Sequence, residues 1–149
     1  MTDYSDIISQ FYCSWSSYLN EKDYNYLLEF IYNLKNNIPN DKILILHGLP
    51  RTGKTTLINE MKKIVGKEHF HDNSFLEGEK FFQPRKRAIH ICGIQQYQEK
   101  KYLSSIKTMF ENNVSIISDT NSLEKIDKEI LENAYVIHMP DENQIYFSS

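Results

Sequence analysis

Ile43-Leu44-Ile45-Leu46-His47-Gly48-Leu49-Pro50-Arg51-Thr52-Gly53-Lys54-Thr55-Thr56-Leu57-Ile58 is the stretch whose reading decides the fold. Ile43 to Leu46 form an unbroken apolar run bounded by Asp41-Lys42 and Gly48, which reads as a strand buried on both faces, as in a parallel sheet. Gly48 to Thr55 match the spacing G-x-x-x-x-G-K-[ST]. Leu57, Ile58, Met61, Ile64 and Val65 then mark the apolar face of a helix that Gly66 stops. In such a loop Gly48 and Gly53 let the backbone turn so that successive N–H groups point into one concavity, and the following helix adds its positive end. The complement of that concavity is a chain of phosphates. Lys54 is placed to reach the β- and γ-phosphates, the Thr55 hydroxyl to ligate Mg²⁺, and Thr56 to add a phosphate contact. The expected cradle is therefore Gly48, Leu49, Pro50, Arg51, Thr52, Gly53, Lys54, Thr55 and Thr56, and the expected cofactors are ATP or GTP with Mg²⁺.

Outward from the loop, the pattern alternates. Ala88-Ile89-His90-Ile91-Cys92, Val114-Ser115-Ile116-Ile117-Ser118 and Tyr135-Val136-Ile137-His138-Met139 read as strands. Between them, Tyr102, Leu103, Ile106, Met109 and Phe110 mark one helix, and Leu123, Ile126, Ile130 and Leu131 another over 122–132. Strands alternating with helices imply right-handed crossovers and a mostly parallel sheet with helices on both faces: an α/β P-loop NTPase fold. Residues 68–87 hold no clean period, and a short strand and a turn of helix are expected there. Towards the N-terminus, Ile7, Ile8, Phe11, Tyr12, Trp15, Tyr18 and Leu19 fall at helical spacing over 5–19. Tyr24, Leu27, Leu28, Ile31 and Leu34 repeat it, with Asp23 as cap. Residues 1–39 thus read as a helical hairpin packed on the core, and 40–149 as the P-loop domain, with a partly ordered acidic tail from Asp141.

The bulk numbers agree with one domain. The chain has 149 residues, 40% hydrophobic and 25% charged, with a net charge of −3. That balance gives no support for strong nucleic-acid binding. The two cysteines, Cys13 and Cys92, make no metal-ligand spacing and no disulfide framework, which fits a reducing intracellular setting, the cytoplasm or nucleus of a host cell. Apolar runs are far too short for a membrane span, and the acidic start is no secretory leader.

Hydrolysis asks for more than a cradle: a carboxylate at the end of a neighbouring strand to hold Mg²⁺, and a group to orient the attacking water. The strand 88–92 ends in Cys92-Gly93, which do neither. The strand 114–118 leads into Asp119, which reads either as a Mg²⁺ ligand or as a turn or capping aspartate before the 122–132 helix.

The order of these pieces resembles the motor domain of superfamily-3 helicases, the viral replication ATPases of the AAA+ class, over roughly residues 20–140. The resemblance implies a Walker B acidic pair where this chain has Cys92-Gly93. It implies a sensor polar residue at Asn121, on the strand and turn Val114-Ser115-Ile116-Ile117-Ser118-Asp119-Thr120-Asn121, acting with Lys54 at the γ-phosphate. It implies an arginine-bearing final strand where this chain has Asn133-Ala134. Between Phe110 and Asn121 no room remains for that family's DNA-contacting hairpin. The sequence therefore looks like a shortened, catalytically degenerate relative, with a homo-oligomer or a related motor protein as partner and only weak nucleic-acid binding alone. For Asn121 the other reading is a helix N-cap, with Glu124 at the capping-box position.

Weaker signals have plainer readings. His69-Phe70-His71-Asp72 reads as a solvated loop rather than a metal site, Cys92 as a buried small residue, and Tyr97 and Tyr102 as packing residues. Arg85-Lys86-Arg87 reads as the solvated start of a strand, or as a phosphate contact. Four functions stay open: a nucleotide-binding module with weak or no turnover, a working ATPase using Asp119 for the metal, a small-molecule kinase, and a structural protein. Against the kinase stands the scarcity of lid arginines, since the chain has only Arg51, Arg85 and Arg87.

Overall fold

The computed structural model describes residues 2–72 and 87–140. Among them, helices α1 (Ser5–Gln10), α2 (Glu21–Lys35), α3 (Lys54–Val65), α4 (Lys100–Glu111) and α5 (Lys128–Glu132) surround strands β1 (Ile43–His47), β2 (Phe70–Asp72), β3 (Ala88–Ile91), β4 (Ser115–Thr120) and β5 (Ala134–His138). The strands make one sheet in the order β2-β3-β4-β1-β5. All four pairings are parallel. Parallel neighbours need crossovers, and the crossovers cover both faces with helices.

Period-two alternation decides which residue meets which layer. Leu44 and Leu46 of β1, Ala88 of β3, Ile117 of β4 and Ile137 of β5 share a core with α2, α3 and the N-terminal segment. Ile43, Ile45, Ile89, Ile91 and Ile116 share the opposite core with Ile106 and Met109 of α4 and Ile130 of α5. The register pairs Leu46 with Asp119 and His47 with Thr120 across β1 and β4. Because every strand runs the same way, the C-terminal ends of β1, β3 and β4 lie along one edge, where the phosphate loop begins.

The N-terminal hairpin is present with its first limb broken. Residues 5–10 are helical, but Phe11 to Ser14 leave the helix before a single 3₁₀ turn over Trp15–Ser17. The reason is Glu60 on α3. Its buried carboxylate accepts the N–H of Tyr12 at 2.5 Å, the N–H of Cys13 at 3.3 Å and the indole N–H of Trp15 at 3.0 Å. Those backbone groups answer to the P-loop helix instead of to a helix of their own. The cap of α2 is Asn20, not Asp23: the Asn20 side chain accepts from the Asp23 N–H at 2.8 Å. Asp23 instead takes the Tyr135 hydroxyl at 2.8 Å, tying α2 to β5. Burial first, and this carboxylate second, push the Tyr135 hydroxyl up to about 12.

Three further expectations change. The stretch His69-Phe70-His71-Asp72 is not a loop: His69 ends a 3₁₀ turn and Phe70–Asp72 form an edge strand, with Phe70 buried and paired to Ala88. The segment 122–132 is not one helix: a 3₁₀ turn over Leu123–Lys125 precedes α5, whose N-cap is Asp127. And Arg87 is no solvated residue. Its guanidinium donates to the carbonyls of Leu34 and Lys35 at 2.9 and 3.0 Å, closing the C-terminal end of α2. The remainder of the 68–87 segment, residues 73–86 with the rest of the basic cluster (Arg85 and Lys86), and the tail from Asp141 lie outside the described residues.

Candidate nucleotide-binding site

The loop between β1 and α3 is braced before any ligand arrives. Gly48 donates its N–H to the Thr120 carbonyl at 3.1 Å, and Met139 donates to the His47 carbonyl at 2.7 Å, so both neighbouring strands hold its root. Gly48 is required for closeness: a Cβ there would stand 2.6 Å from Thr52 Oγ1. Gly53 is required for conformation, at φ 91°. Arg51 shares the left-handed region at φ 67° without glycine's freedom, a strained position within the loop. The Thr52 hydroxyl donates to the Leu49 carbonyl at 2.8 Å and so serves the loop itself. Lys54 is 9% exposed and folds back along the loop, donating to the carbonyls of Gly48 and of Leu49, the latter at 2.9 Å. Burial pulls its ammonium below the ordinary lysine value, and the negative charge of Asp119 opposes that pull.

Above α3's first turn opens a cleft of about 490 Å³. Pro50, Arg51, Gly53, Lys54, Thr55 and Thr56 line one wall. Cys92, Gly93, Gln95 and Gln96 line the other, and Asp119, Thr120 and Asn121 close the floor. Gly48, Leu49 and Thr52 face instead a smaller cavity of about 220 Å³ behind the loop, shared with His47, His138, Met139 and Asn121. Of the residues expected around the phosphates, the structure thus gathers six at the cleft and places three behind it.

Asp119 is neither a turn nor a cap residue. It lies inside β4, and Asn121 follows the strand as an exposed residue at the cleft floor without capping α5. The Asp119 Oδ1 accepts the Gly93 N–H at 3.1 Å, which brings the carboxylate across to the end of β3. Burial opposes its ionisation, but the side chain of His90, the Gly93 N–H and the charge of Lys54 together hold the carboxyl below the usual aspartate value. The strand that lacks acids at Cys92-Gly93 is therefore served by an acid from its neighbour. Periodicity could not show this, because it depends on the β3–β4 register, which pairs Ile91 with Ser118.

Other cleft residues escaped the sequence reading. Cys92 is exposed at the cleft rather than buried, with its Sγ 3.8 Å from His90 Nε2. His90 Nε2 stands 3.9 Å from Asp119 Oδ1, and the three potential ligand atoms of His90, Cys92 and Asp119 lie within 4.8 Å of one another. His90 Nδ1 contacts Lys62 Nζ at 2.9 Å in the interior. The Gln95 Oε1 is buried and has no hydrogen-bond partner among the described residues. The Asn133-Ala134 pair lies at the far edge: Asn133 ends α5 and Ala134 pairs with Ile43 at the start of β1.

The residues fit a nucleoside triphosphate with a divalent cation. A left-handed glycine precedes the first turn of a twelve-residue helix, a lysine and two threonines stand at that turn, and an ionised carboxylate faces them.

Solved structures carry the same architecture. Thermotoga maritima RuvB, described as a Holliday junction branch migration motor, superimposes with a TM-score of 0.57 at 12% identity. The match covers 81% of this chain and 45% of RuvB. Its T158V and A156S forms superimpose with TM-scores of 0.57 and 0.59, also at 12% identity. The shared fold is an α/β P-loop fold. This chain spans about 45% of the length of those RuvB chains, so the likeness is one of fold. No protein-family model matches the sequence, and no curated protein is similar to it. Among the described residues, no helix is long and apolar enough to cross a membrane.

Proposed function

We propose that this chain binds a nucleoside triphosphate with Mg²⁺ and turns it over slowly if at all, acting through assembly with further copies or with a related motor in nucleic-acid replication. The observation that carries the nucleotide reading is convergence. The loop, the N-terminal turn of α3 and the Asp119 carboxylate, which come from distant parts of the sequence, line one cleft. In this reading Lys54 leaves the carbonyls of Gly48 and Leu49 for phosphate oxygens, a trade of neutral acceptors for anionic ones. Gly53, Thr55 and Thr56 present N–H and hydroxyl groups to the phosphates. Thr55 and Asp119 hold the cation, and Asn121 is the polar residue beside the γ-phosphate. The bound cation supplies charge neutralisation; the chain supplies position.

Slow turnover follows from what the cleft lacks. Among the described residues, no arginine other than Arg51 lines it. The superfamily-3 likeness supports a replication role through the order of the motifs, and the RuvB fold supports a motor ancestry. Calorimetric titration of ATP and GTP with Mg²⁺ tests the reading directly: binding is expected, and no binding at millimolar nucleotide refutes it.

The position of Asp119 also favours a second reading, a working ATPase in which this carboxylate replaces the acids missing at Cys92-Gly93. Phosphate release separates the two, because a working ATPase loses its turnover in Asp119→Asn.

A further inference from the structure

We infer that Lys62 and His90 form a buried positioning pair that aims the Asp119 carboxylate, reserving one of its oxygens for the protein and leaving the other for a cation. The inference rests on the reading of Asp119 as the Mg²⁺ ligand and adds what makes it one.

The geometry follows from donor and acceptor capacity. A lysine ammonium carries three donors and no acceptor. Lys62 Nζ stands 2.9 Å from His90 Nδ1, in the interior between α3 and β3. His90 Nδ1 must therefore offer its lone pair, which places the imidazole hydrogen on Nε2. That N–H faces Asp119 Oδ1 at 3.9 Å and Cys92 Sγ at 3.8 Å. Oδ1 also receives the Gly93 N–H at 3.1 Å. The Gly93 N–H thus binds one carboxylate oxygen, and the His90 Nε2–H faces that same oxygen from beyond hydrogen-bond distance. Oδ2 has no hydrogen bond among the described residues, and the carboxylate lines the cleft beside Lys54 and Thr55.

All three residues lie on one face of the molecule for a reason of register. His90 alternates with the apolar Ile89 and Ile91, which turn to the α4 side, so His90 turns towards α3. Ile117 and Asp119 turn the same way on β4. Lys62 lies two turns along α3 from Lys54, so one helix supplies both the loop lysine and the support of the opposing carboxylate.

The same contact argues against a transition-metal site at His90, Cys92 and Asp119, close as their ligand atoms are. A metal on Nε2 needs that lone pair free. The second nitrogen of a metal-bound imidazole ordinarily donates to an acceptor, and an ammonium group is not one.

The test measures ATP affinity of the full chain with and without Mg²⁺, together with the ¹⁵N spectrum of the His90 ring in the free protein. The expected ring is the Nε2–H tautomer, and Lys62→Met is expected to convert it to a tautomer mixture. Asp119→Asn is expected to abolish the gain in affinity that Mg²⁺ brings. His90→Leu and Lys62→Met are expected to cut that gain about 10- to 100-fold, the usual size for removing a group that orients a metal ligand. His90→Gln is expected to restore it, because its amide places an N–H near the lost Nε2–H. A loss in Asp119→Asn with none in Lys62→Met or His90→Leu overturns the positioning pair and leaves Asp119 as the ligand. No loss in Asp119→Asn overturns the metal reading beneath both. An Nδ1–H tautomer in the parent protein, or Co²⁺ binding with a thiolate absorption band lost in Cys92→Ser, also overturns the pair. Should His90→Leu fail to fold, the tautomer of the parent protein and the Lys62→Met and His90→Gln affinities still decide.

Discussion

Lys54 acts as a latch in the loop: its ammonium holds the carbonyls of Gly48 and Leu49 where phosphate oxygens are proposed to come. Replacing it with alanine removes both the latch and the charge offered to the ligand. Lys54→Ala is expected to weaken ATP binding by about 1.5–3 kcal/mol, the scale of a hydrogen bond to a charged group, or roughly 10- to 150-fold. Titration calorimetry against the parent protein checks this, and unchanged affinity would remove Lys54 from the site. At this scale the sequence was informative where chemistry and spacing coincide. Lys54, Thr55 and Gly53 stand where the loop pattern put them. It was silent where a role depends on another strand. The pairing of Asp119 with Gly93, the exposure of Cys92 and the Lys62–His90 contact are set by β-register and by the rotation of α3, neither of which leaves a local signal. The sequence was silent too on the Thr52 hydroxyl, which donates to the Leu49 carbonyl and braces the loop.

Elements here are tied to one another by single polar residues as much as by their apolar faces. Glu60 is the strongest case, one carboxylate fixing Tyr12, Cys13 and Trp15 against α3. Glu60→Leu strands those donors and is expected to cost about 2–4 kcal/mol, with Glu60→Gln losing less because it keeps an acceptor. Urea unfolding followed by fluorescence reads it cleanly, since Trp15 is the chain's one tryptophan and is 1% exposed. A cost below about 0.5 kcal/mol, the level of an ordinary surface change, would show the contact to be incidental. The ends of β1 and β5 offer a second case. His47 Nδ1 and His138 Nδ1 meet at 2.9 Å, so one ring must donate and the other accept. Burial, then the charges of His138 and Lys54, hold His47 below its ordinary value of 6.5. The unfolded chain therefore binds more protons than the folded one once the pH drops below 6.5. Stability present above that pH is lost as the pH falls towards the folded-state value. Urea midpoints measured at about pH 7.5 and about pH 5.5 are expected to fall in the parent protein and to fall less in His47→Gln; equal slopes would refute the assignment. The sequence pointed to the strands at both ends of this contact. It missed the broken first limb of the hairpin, because the apolar spacing of Phe11, Tyr12 and Trp15 is helical while their N–H groups are claimed by α3.

Across the whole molecule, the distribution of cations sets what the cleft can do. Arg87 closes the end of α2 near the starts of the strands, so it is not available at the cleft. The Asn133-Ala134 position lies at that same far edge. Where an arginine finger has been measured it contributes about 10³–10⁵ in rate. Phosphate release by the protein alone is accordingly expected well below the roughly 1–10³ s⁻¹ of typical enzymes. Fast turnover that survives Arg51→Ala would refute the degenerate reading. With a net charge of −3, the isolated chain is also expected not to separate duplex strands, and robust ATP-driven unwinding would contradict that.

The strand order carries one more consequence, for synthesis. Among the described residues no two strands of this sheet form a hairpin, and β1 draws both of its neighbours, β4 and β5, from strands made well after it. On a ribosome adding about 5–20 residues per second, the four apolar residues of β1 wait on the order of 4–15 s for any strand to pair with. Until then only helices can shelter them, α2 and α3 on one side and α4 on the other. A nascent chain arrested before Ser115 is therefore expected to leave both edges of β1 unpaired, and the sheet closes around β1 only when β4 and β5 slot in on either side of it.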